Sequence, residues 1–359
     1  MNPVILFRKD YTTEEEFEIA KKYFDVVEFR SDVPADSLVI GRYSTLPYYK
    51  ELDHDLKING SKLINSIDQY NWVANFDWYD AVKDYTFETW FRAQDLPDDG
   101  TKFVVKGRTN SRKHEWDRLM FADSKKKAIE IMLVLNEDSL IAPQGVVFRR
   151  YEPLVTYEIG LNGLPFTNEW RFFFYKETIL TYGYYWTMAK DVDHQITKEA
   201  LKFVKDIAKI VKDYSNFFVL DIGEKISGGW VLIEINDAQM GGLSENSPDT
   251  LYSNLKNGIA FDDKLVHVEL YGEDFYHKVY DILEQLGGAT GDGYRESFIY
   301  NFTQDKYKSD EWRFQGKLGF GGKYRGERNV VDCYPEDETP ARLKLIKKMN
   351  VALKELLSK

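Results

Sequence analysis

Three oxygen-bearing side chains fall on two neighbouring predicted strands. Residues 217–222 predict a strand that contains Asp221, and residues 230–235 predict a strand that contains Glu234 and runs into Asn236. Because side chains alternate along a strand, Glu234 and Asn236 point to the same face, and Asp221 on the partner strand can join them. Three oxygen ligands on one face are typical of a Mg²⁺ site that holds nucleotide phosphates. The alternative is that these residues are solvated strand ends before turns.

A basic strand and loop are the second candidate. Residues 102–107 predict an apolar strand that ends at a glycine, and a polar loop follows at 108–113. Lys106 lies near the end of the strand, where a buried base needs an anionic partner. The loop combines cations, hydroxyls and amides, a mixture that suits closure over a polyphosphate. A solvated surface loop is the alternative. The loop residues that we expect to contact a ligand are Arg108, Ser111 and Lys113.

A strand rich in aromatic residues carries the third candidate, Glu169 and Arg171. Arg171 lies in an otherwise apolar stretch, and we expect it to meet a carboxylate or a phosphate. An internal structural ion pair is the alternative. Arg149, Arg150 and Glu152 lie at the end of the preceding predicted strand.

The elements that must position these side chains predict an α/β protein with α+β parts. The chain begins with a strand at 4–7, a helix that starts after Thr13, and strands at 26–29 and 38–40, which together open an α/β unit. A strongly amphipathic helix is predicted at 196–214.

Changes in composition along the chain predict three domains. We expect an N-terminal α/β lobe at 1–95, a core at 96–260 and a small C-terminal α+β domain at 261–359. A glycine-rich stretch at 314–323 lies inside predicted strands and is therefore a poor phosphate loop. The C-terminal domain is predicted to contain a helix at 266–286, strands at 297–302, 312–318 and 330–334, and a last helix that begins at Pro340.

Composition excludes several classes of protein. Of 359 residues, 43% are hydrophobic, which is enough for a buried core and rules out disorder for most of the chain. No run of 18 apolar residues exists, so we expect no membrane span. Cys333 is the single cysteine, which excludes an intramolecular disulfide and fits a reducing cytoplasm. The net charge of −11 argues against broad nucleic-acid binding, although a local basic patch can still provide it.

Taken in order, these pieces resemble the ATP-grasp superfamily from about Thr101 to Glu245. The resemblance implies a two-lobe fold in which the segment 96–260 is the nucleotide-binding core, and it implies ATP and Mg²⁺ as cofactors. The loop has one glycine where many family members have several, and the hinge strand lacks their common Gln-Glu pair. By the resemblance, ATP contacts Lys106, Arg108, Ser111, Lys113, the hinge residues Arg149, Arg150, Tyr151 and Glu152, and Glu169, whereas Mg²⁺ binds Asp221, Glu234 and Asn236.

Details of these motifs look most like a divergent clade of the superfamily. The pair Asn236-Asp237, and Val104-Val105-Lys106 followed by Asn110-Ser111, carry that likeness. The clade includes phage and bacterial proteins and the eukaryotic cell-division-cycle factor that helps to assemble a translation initiation complex.

The usual family chemistry implies an ATP-dependent ligase. ATP phosphorylates a carboxylate, and an amine then attacks the acyl-phosphate to give an amide. Lys106 and Arg171 are the implied catalytic residues, and the partner is an unknown carboxylate or amine substrate, including a protein or a peptide. Substitution of Asp221, Glu234 or Asn236 by alanine is predicted to abolish ATP turnover while the fold survives.

Three further functions stay open. The first is a non-catalytic ATP-binding module that chaperones the assembly of a partner. The second is a nucleotidyltransferase such as an RNA ligase, in which Lys106 becomes adenylated, although Lys106-Gly107-Arg108-Thr109 matches the ligase motif poorly. The third is a peptide-binding surface formed by the 24 tyrosines and 8 tryptophans, with nucleotide binding lost.

Overall fold

The computed structural model describes residues 2–45, 48–189 and 195–262, together with the backbone of six strands between residues 266 and 333. The chain divides into two compact units, residues 1–256 and 257–359. Its mixture of helices and sheets confirms the predicted α/β class. Among the described residues, no helix combines the length and the apolar character that crossing a bilayer requires.

A parallel four-stranded sheet forms the N-terminal lobe, in line with the α/β start predicted there. Its elements are β1 (Asn2–Phe7), α1 (Glu14–Ala20), β2 (Asp25–Val27), β3 (Ser37–Arg42), α2 (Tyr49–Ile58), β4 (Lys62–Leu63) and α3 (Ile67–Ala74). The strand order is β2-β1-β3-β4, and all neighbours pair in parallel. The chain therefore crosses from one side of β1 to the other between β2 and β3.

An antiparallel sheet in order β5-β8-β6-β7 follows. Its elements are α4 (Trp78–Val82), β5 (Thr89–Trp90), β6 (Phe103–Gly107), α5 (Trp116–Leu119), β7 (Phe121–Ala122), α6 (Lys125–Leu135) and β8 (Val146–Arg150). Ala128, Ile131 and Leu135 recur on one face of α6 and share an apolar cluster with Phe103 and Val105 of β6. This packing fixes β6, the strand that carries Lys106.

The third sheet of this unit is antiparallel, with strand order β12-β11-β13-β14. A two-stranded sheet, β9 (Thr156–Ile159) with β10 (Pro165–Thr167), precedes it; its own elements are β11 (Glu169–Tyr175), β12 (Thr178–Tyr184), α7 (Lys198–Val211), β13 (Phe217–Glu224) and β14 (Trp230–Asp237), and α8 (Pro248–Asp262) follows. The predicted amphipathic helix is confirmed as α7, whose Val204, Ile207 and Val211 lie in one buried cluster with Phe218 and Leu220.

The register of the third sheet places the predicted site residues in one row. Arg171 on β11 lies opposite Asp221 on β13, and Asp221 lies opposite Glu234 on β14. The register then shifts, so that Ile222 pairs with Leu232 and Ile233 is an extra residue in β14. This β-bulge lies directly beside Glu234.

The second unit contains a six-stranded sheet in order β15-β20-β19-β18-β17-β16. Its strands are β15 (Val266–Tyr271), β16 (Ala289–Thr290), β17 (Ile299–Gln304), β18 (Glu311–Gly316), β19 (Phe320–Arg325) and β20 (Arg328–Cys333). The predicted helix at 266–286 is wrong over 266–271, where apolar residues alternate at Val266, Val268 and Leu270 with the period of a strand. The remainder of that helix, and the helix predicted from Pro340, lie outside the described residues.

Candidate active site

Two adjoining cavities lie in the first unit, and they share three lining residues, Ser111, Lys113 and Glu234. We call the first the apolar cavity, because side chains such as Phe87, Met120 and Leu164 form much of its wall. We call the second the polar cleft. Predicted site residues on the apolar cavity are Lys106, Ser111, Lys113, Arg149, Arg150, Tyr151, Glu152, Glu169 and Glu234. Predicted site residues on the polar cleft are Ser111, Lys113, Arg171, Glu234 and Asn236.

Arg108 and Asp221 line neither cavity. The guanidinium carbon of Arg108 lies 5.9 Å from the centre of the Phe91 ring, so its charge is turned away from the other candidate residues. Asp221 lies one strand behind Glu234 and is 1% exposed. The structure therefore brings together eleven of the thirteen predicted site residues, counting those named for the two cavities.

Lys106 and Glu234 form a buried ion pair between β6 and β14. Burial lowers the pKa of Lys106, and the Glu234 carboxylate offsets this only in part. Burial alone would raise the pKa of Glu234, but the nearby Lys106 and Lys113 ammonium groups hold it below its usual value. The pair joins two different sheets, and each member faces the apolar cavity, where a phosphate could replace either partner.

Arg171 and Asp221 form a second buried ion pair with two parallel hydrogen bonds. Arg171 Nε donates to Asp221 Oδ1 at 2.8 Å, and Arg171 Nη2 donates to Asp221 Oδ2 at 2.7 Å. Arg171 Nη1 also donates to the Gly242 carbonyl at 2.8 Å. A guanidinium has five N–H groups, so two N–H groups of Arg171 are left over on the side of the polar cleft.

The loop after β6 is anchored at both ends of its basic stretch. Arg112 Nε donates to Asp138 Oδ2 at 2.6 Å. Lys113 Nζ donates to the Tyr185 hydroxyl and lies 5.4 Å from the centre of the Trp186 ring. Burial would lower the pKa of Lys113, yet Tyr185, Glu169 and Glu234 together raise it above the ordinary lysine value. Lys113 is thus a charged ammonium at the junction of the two cavities.

The two arginines of the hinge strand are held by the protein itself. Arg149 donates to the Thr86 hydroxyl at 2.5 Å and to the Ile233 carbonyl, and its guanidinium faces the Phe87 ring at 5.1 Å. Burial lowers the pKa of Arg149 to about 10, so it keeps its charge at neutral pH. Arg150 pairs with Glu88 at 2.6 Å. Both arginines therefore fix the wall of the apolar cavity.

The turn after β14 is held by the N-terminal lobe. Arg42, at the end of β3, donates through Nη1 to the carbonyls of Ala238 and Gly241, at 2.5 and 2.9 Å. Glu16 neutralises Arg42 at 2.7 Å, and both side chains are buried. The Gly41 N–H donates to the Gln239 side chain at 3.0 Å. Because Gly241 lines the polar cleft, the N-terminal lobe sets the position of one cleft wall.

Several residues of the polar cleft were not predicted from the sequence. Tyr185 contacts both cations, since the Arg171 guanidinium lies 4.7 Å from its ring centre and Lys113 binds its hydroxyl. Asp237 is buried, and burial raises its pKa to about 6. Its position directly after Asn236 was a usable signal. Tyr185 had none, because an aromatic residue after an aromatic strand is expected to be core.

The donors on the polar cleft fit Mg²⁺. Glu234 and Asn236 supply two oxygen atoms to one wall, and the Asn236 side chain makes no hydrogen bond among the described residues. Mg²⁺ is commonly held by one or two protein oxygens, with substrate phosphates and water completing its shell. Elsewhere in the described part of the chain, no group of three or more acidic, histidine or cysteine side chains is arranged to hold a metal ion. Asp221 would have to release an oxygen from Arg171 before it could bind the ion.

Glu169 gives this site a pH-dependent stability. Its buried carboxyl accepts a hydrogen bond from the Thr167 hydroxyl at 2.5 Å. Burial raises its pKa from 4.5 to about 7, with Lys113 lowering it in part. Below the lower value the carboxyl is protonated in both the folded and the unfolded chain. As the pH rises, the unfolded chain ionises first, so the free energy of unfolding falls until the pH passes the higher value.

We therefore expect Glu169→Gln to gain stability relative to the wild type as the pH rises from about 5 to about 8, by up to about 3 kcal/mol. Urea denaturation at several pH values measures this difference. The matched control is Glu15→Gln, at an exposed position on α1, whose stability should follow the wild type at every pH. Parallel pH curves for Glu169→Gln and the wild type would contradict the assignment.

Comparison with known proteins gives a family for the central segment. Residues 96–255 match the family model described as an ATP-grasp domain, the third family of its clade. The resemblance to the ATP-grasp superfamily is thereby confirmed for this segment, while the relation to the eukaryotic assembly factor stays a prediction. No curated protein matches the sequence.

Solved structures similar to this chain include three ligases or synthetases. D-cycloserine synthetase DcsG is 11% identical, with 72% of this chain and 99% of that chain covered and a TM-score of 0.49. The ATP-grasp ligase PsnB, complexed with minimal precursor, Mg and ADP, is 10% identical, with 72% and 98% covered and a TM-score of 0.44. D-alanine–D-alanine ligase from Bacillus anthracis, complexed with ATP, is 13% identical, with 66% and 84% covered and a TM-score of 0.41.

Proposed function

Because residues 96–255 form an ATP-grasp domain, we propose that this protein is an ATP- and Mg²⁺-dependent ligase that joins a carboxylate to an amine. The γ-phosphoryl group passes to a carboxylate oxygen and ADP leaves. The amine nitrogen then attacks the carbonyl carbon, phosphate leaves, and the nitrogen loses a proton. The acceptor that we propose is a peptide or protein, and the single Cys333 is consistent with work in a reducing cytoplasm.

The apolar cavity is the proposed site of the adenine and ribose. Its wall combines apolar side chains with the hinge residues 149–152, whose backbone groups can pair with a flat heterocycle. Lys106 and Lys113 lie on the same wall and can bind the phosphates as charged donors. Bound Mg²⁺ would supply further positive charge to the phosphates from Glu234 and Asn236.

The polar cleft is the proposed site of the acceptor. It carries both signs of charge, with Arg171 and Lys113 set against Glu234 and Asp237. Such a mixture suits a peptide end or an amino acid, which presents a carboxylate and an amine. The two spare N–H groups of Arg171 can hold the oxygen that gains negative charge during the reaction. The pairing of Arg171 with Asp221 keeps the guanidinium in place for that role.

One observation carries this proposal: the two cavities meet at Ser111, Lys113 and Glu234. A nucleotide whose base fills the apolar cavity would place its last phosphate at this junction. An acceptor in the polar cleft would then reach that phosphate without crossing bulk water. Reacting groups that are held together in this way gain a large advantage in rate over free collision.

A thermal melt with MgATP tests the nucleotide site. We expect a saturating non-hydrolysable ATP analogue with Mg²⁺ to raise the melting temperature by at least about 5 °C, since ligand at 100-fold above its Kd adds about 2.7 kcal/mol. The matched control contains the analogue with EDTA, where the shift should shrink. No shift in the presence of Mg²⁺ would reject the proposal and favour a peptide-binding surface.

Product analysis separates a ligase from an assembly chaperone and from a nucleotidyltransferase. Incubation with ATP and a panel of amino acids and short peptides should release ADP together with a product that has lost one water. Binding of ATP with no ADP released for any acceptor would favour the assembly chaperone. An AMP adduct on the protein in intact-mass analysis would favour nucleotidyl transfer through Lys106.

A further inference from the structure

A second crevice lies in the N-terminal lobe, away from the two cavities described above. It is lined at the carboxyl ends of three neighbouring strands, by Arg8 and Lys9 after β1, by Phe29 and Arg30 after β2, and by Tyr43 after β3. Because β1 has β2 on one side and β3 on the other, this is the point where the strand order reverses. Ligands of open parallel sheets bind in crevices of this kind.

The crevice is basic, although the whole chain carries a charge of −11. Three cations, Arg8, Lys9 and Arg30, line it with one carboxylate, Glu28. Arg8 has no acidic partner among the described residues, and its guanidinium lies 4.9 Å from the centre of the Tyr43 ring. An arginine held flat against a ring keeps its N–H edge available for a carboxylate.

The other two cations are paired only at the surface. Lys9 lies 3.3 Å from Glu14, and Arg30 lies 2.5 Å from Asp55. In both pairs each side chain is at least 35% exposed. Exposed pairs of this type contribute little free energy, so a ligand with several negative charges can compete for these cations.

The crevice is continuous with the polar cleft along the chain. Tyr43 lines the crevice and the next residue, Ser44, lines the polar cleft. A single extended ligand can therefore touch both sites. Phe29 is 68% exposed at the crevice and offers an apolar contact beside the cations.

We propose that this crevice binds an acidic segment of the peptide or protein acceptor, while the reacting end of the acceptor lies in the polar cleft. The inference rests on the proposed function for its description of the ligand as acceptor. Charge complementarity supports an acidic segment, because the acidic chain repels such a ligand elsewhere and attracts it here. Acidic side chains also match the fork of N–H donors on Arg8.

Binding of a labelled peptide of six glutamates, followed by fluorescence anisotropy without ATP or Mg²⁺, tests the crevice independently of the ligase reaction. We expect saturable binding to the wild type that weakens as salt is added. Arg8→Glu should weaken binding by at least about 10-fold, and Arg8→Gln by a smaller factor. The matched control is Lys126→Glu, which makes the same change in charge at an exposed position on α6, outside the crevice. It should stay within about 2-fold of the wild type.

Each outcome decides the proposal. No binding of hexaglutamate at low salt would overturn it, as would equal losses in Arg8→Glu and Lys126→Glu. Competition by inorganic phosphate with an affinity equal to that of the peptide would also overturn it, in favour of a small-anion site. The melting-temperature shift with MgATP shows that each variant is folded. If the peptide binds through Arg8 but no acceptor yields ADP, the ligase proposal fails while the crevice stands.

Discussion

Asn236→Ala is expected to lower ATP-dependent turnover by at least about 100-fold, which corresponds to about 2.7 kcal/mol. Asn236 lies on the polar cleft beside Glu234, and its side chain forms no hydrogen bond with any other described residue. Its removal therefore costs the folded protein little, whereas it deletes one of the two open oxygen donors for Mg²⁺. The effect should be seen in ADP release and in the affinity for MgATP.

The interpretation of this variant depends on two companions. Asn236→Asp keeps an oxygen donor and should retain more turnover than Asn236→Ala. Asn136→Ala removes an exposed asparagine at the end of α6 and should match the wild type in both assays. If Asn236→Ala binds MgATP as tightly as the wild type, Asn236 is not a metal ligand.

Asp221→Ala is expected to destabilise the fold by about 3–5 kcal/mol, because it leaves the buried Arg171 guanidinium without its counter-charge. This differs from the expectation raised by the sequence alone, in which the alanine variant kept its fold. The midpoint of urea denaturation measures the effect. A loss of ATP turnover in this variant would therefore report on stability as much as on metal binding.

A double variant separates the two explanations. Arg171→Met with Asp221→Leu replaces the pair by apolar side chains of similar size and should recover much of the lost stability. Its ATP turnover should stay low, because the spare N–H groups of Arg171 are gone. A change below about 1 kcal/mol in Asp221→Ala would show that the pair is not a buried anchor.

Local patterns in the sequence were sufficient for the strands that carry the site. The alternation in β14 predicted that Glu234 and Asn236 share a face, and both line the polar cleft. The apolar surroundings of Lys106 predicted an anionic partner. The partner is Glu234, which lies 128 residues away in another sheet, and no local pattern could identify it.

Arg171 shows a second limit of the sequence. A carboxylate, a phosphate and an internal ion pair were all open as its partner, and the structure provides the Asp221 carboxylate. The choice depends on the register between β11 and β13, which tertiary packing sets. The strand at 266–271 was predicted as a helix because its period of two was overlooked within a longer apolar stretch.

The hold of Arg42 and Gly41 on the turn after β14 bears on how this protein could be recombined with its relatives. The segment that matches the family, residues 96–255, contains the turn but neither of the residues that hold it from outside. Transplanted alone, that segment would carry its chemistry into a host that cannot shape the cleft wall. Exchange between relatives should therefore succeed only when the N-terminal lobe travels with the core, so the two behave as one evolutionary unit.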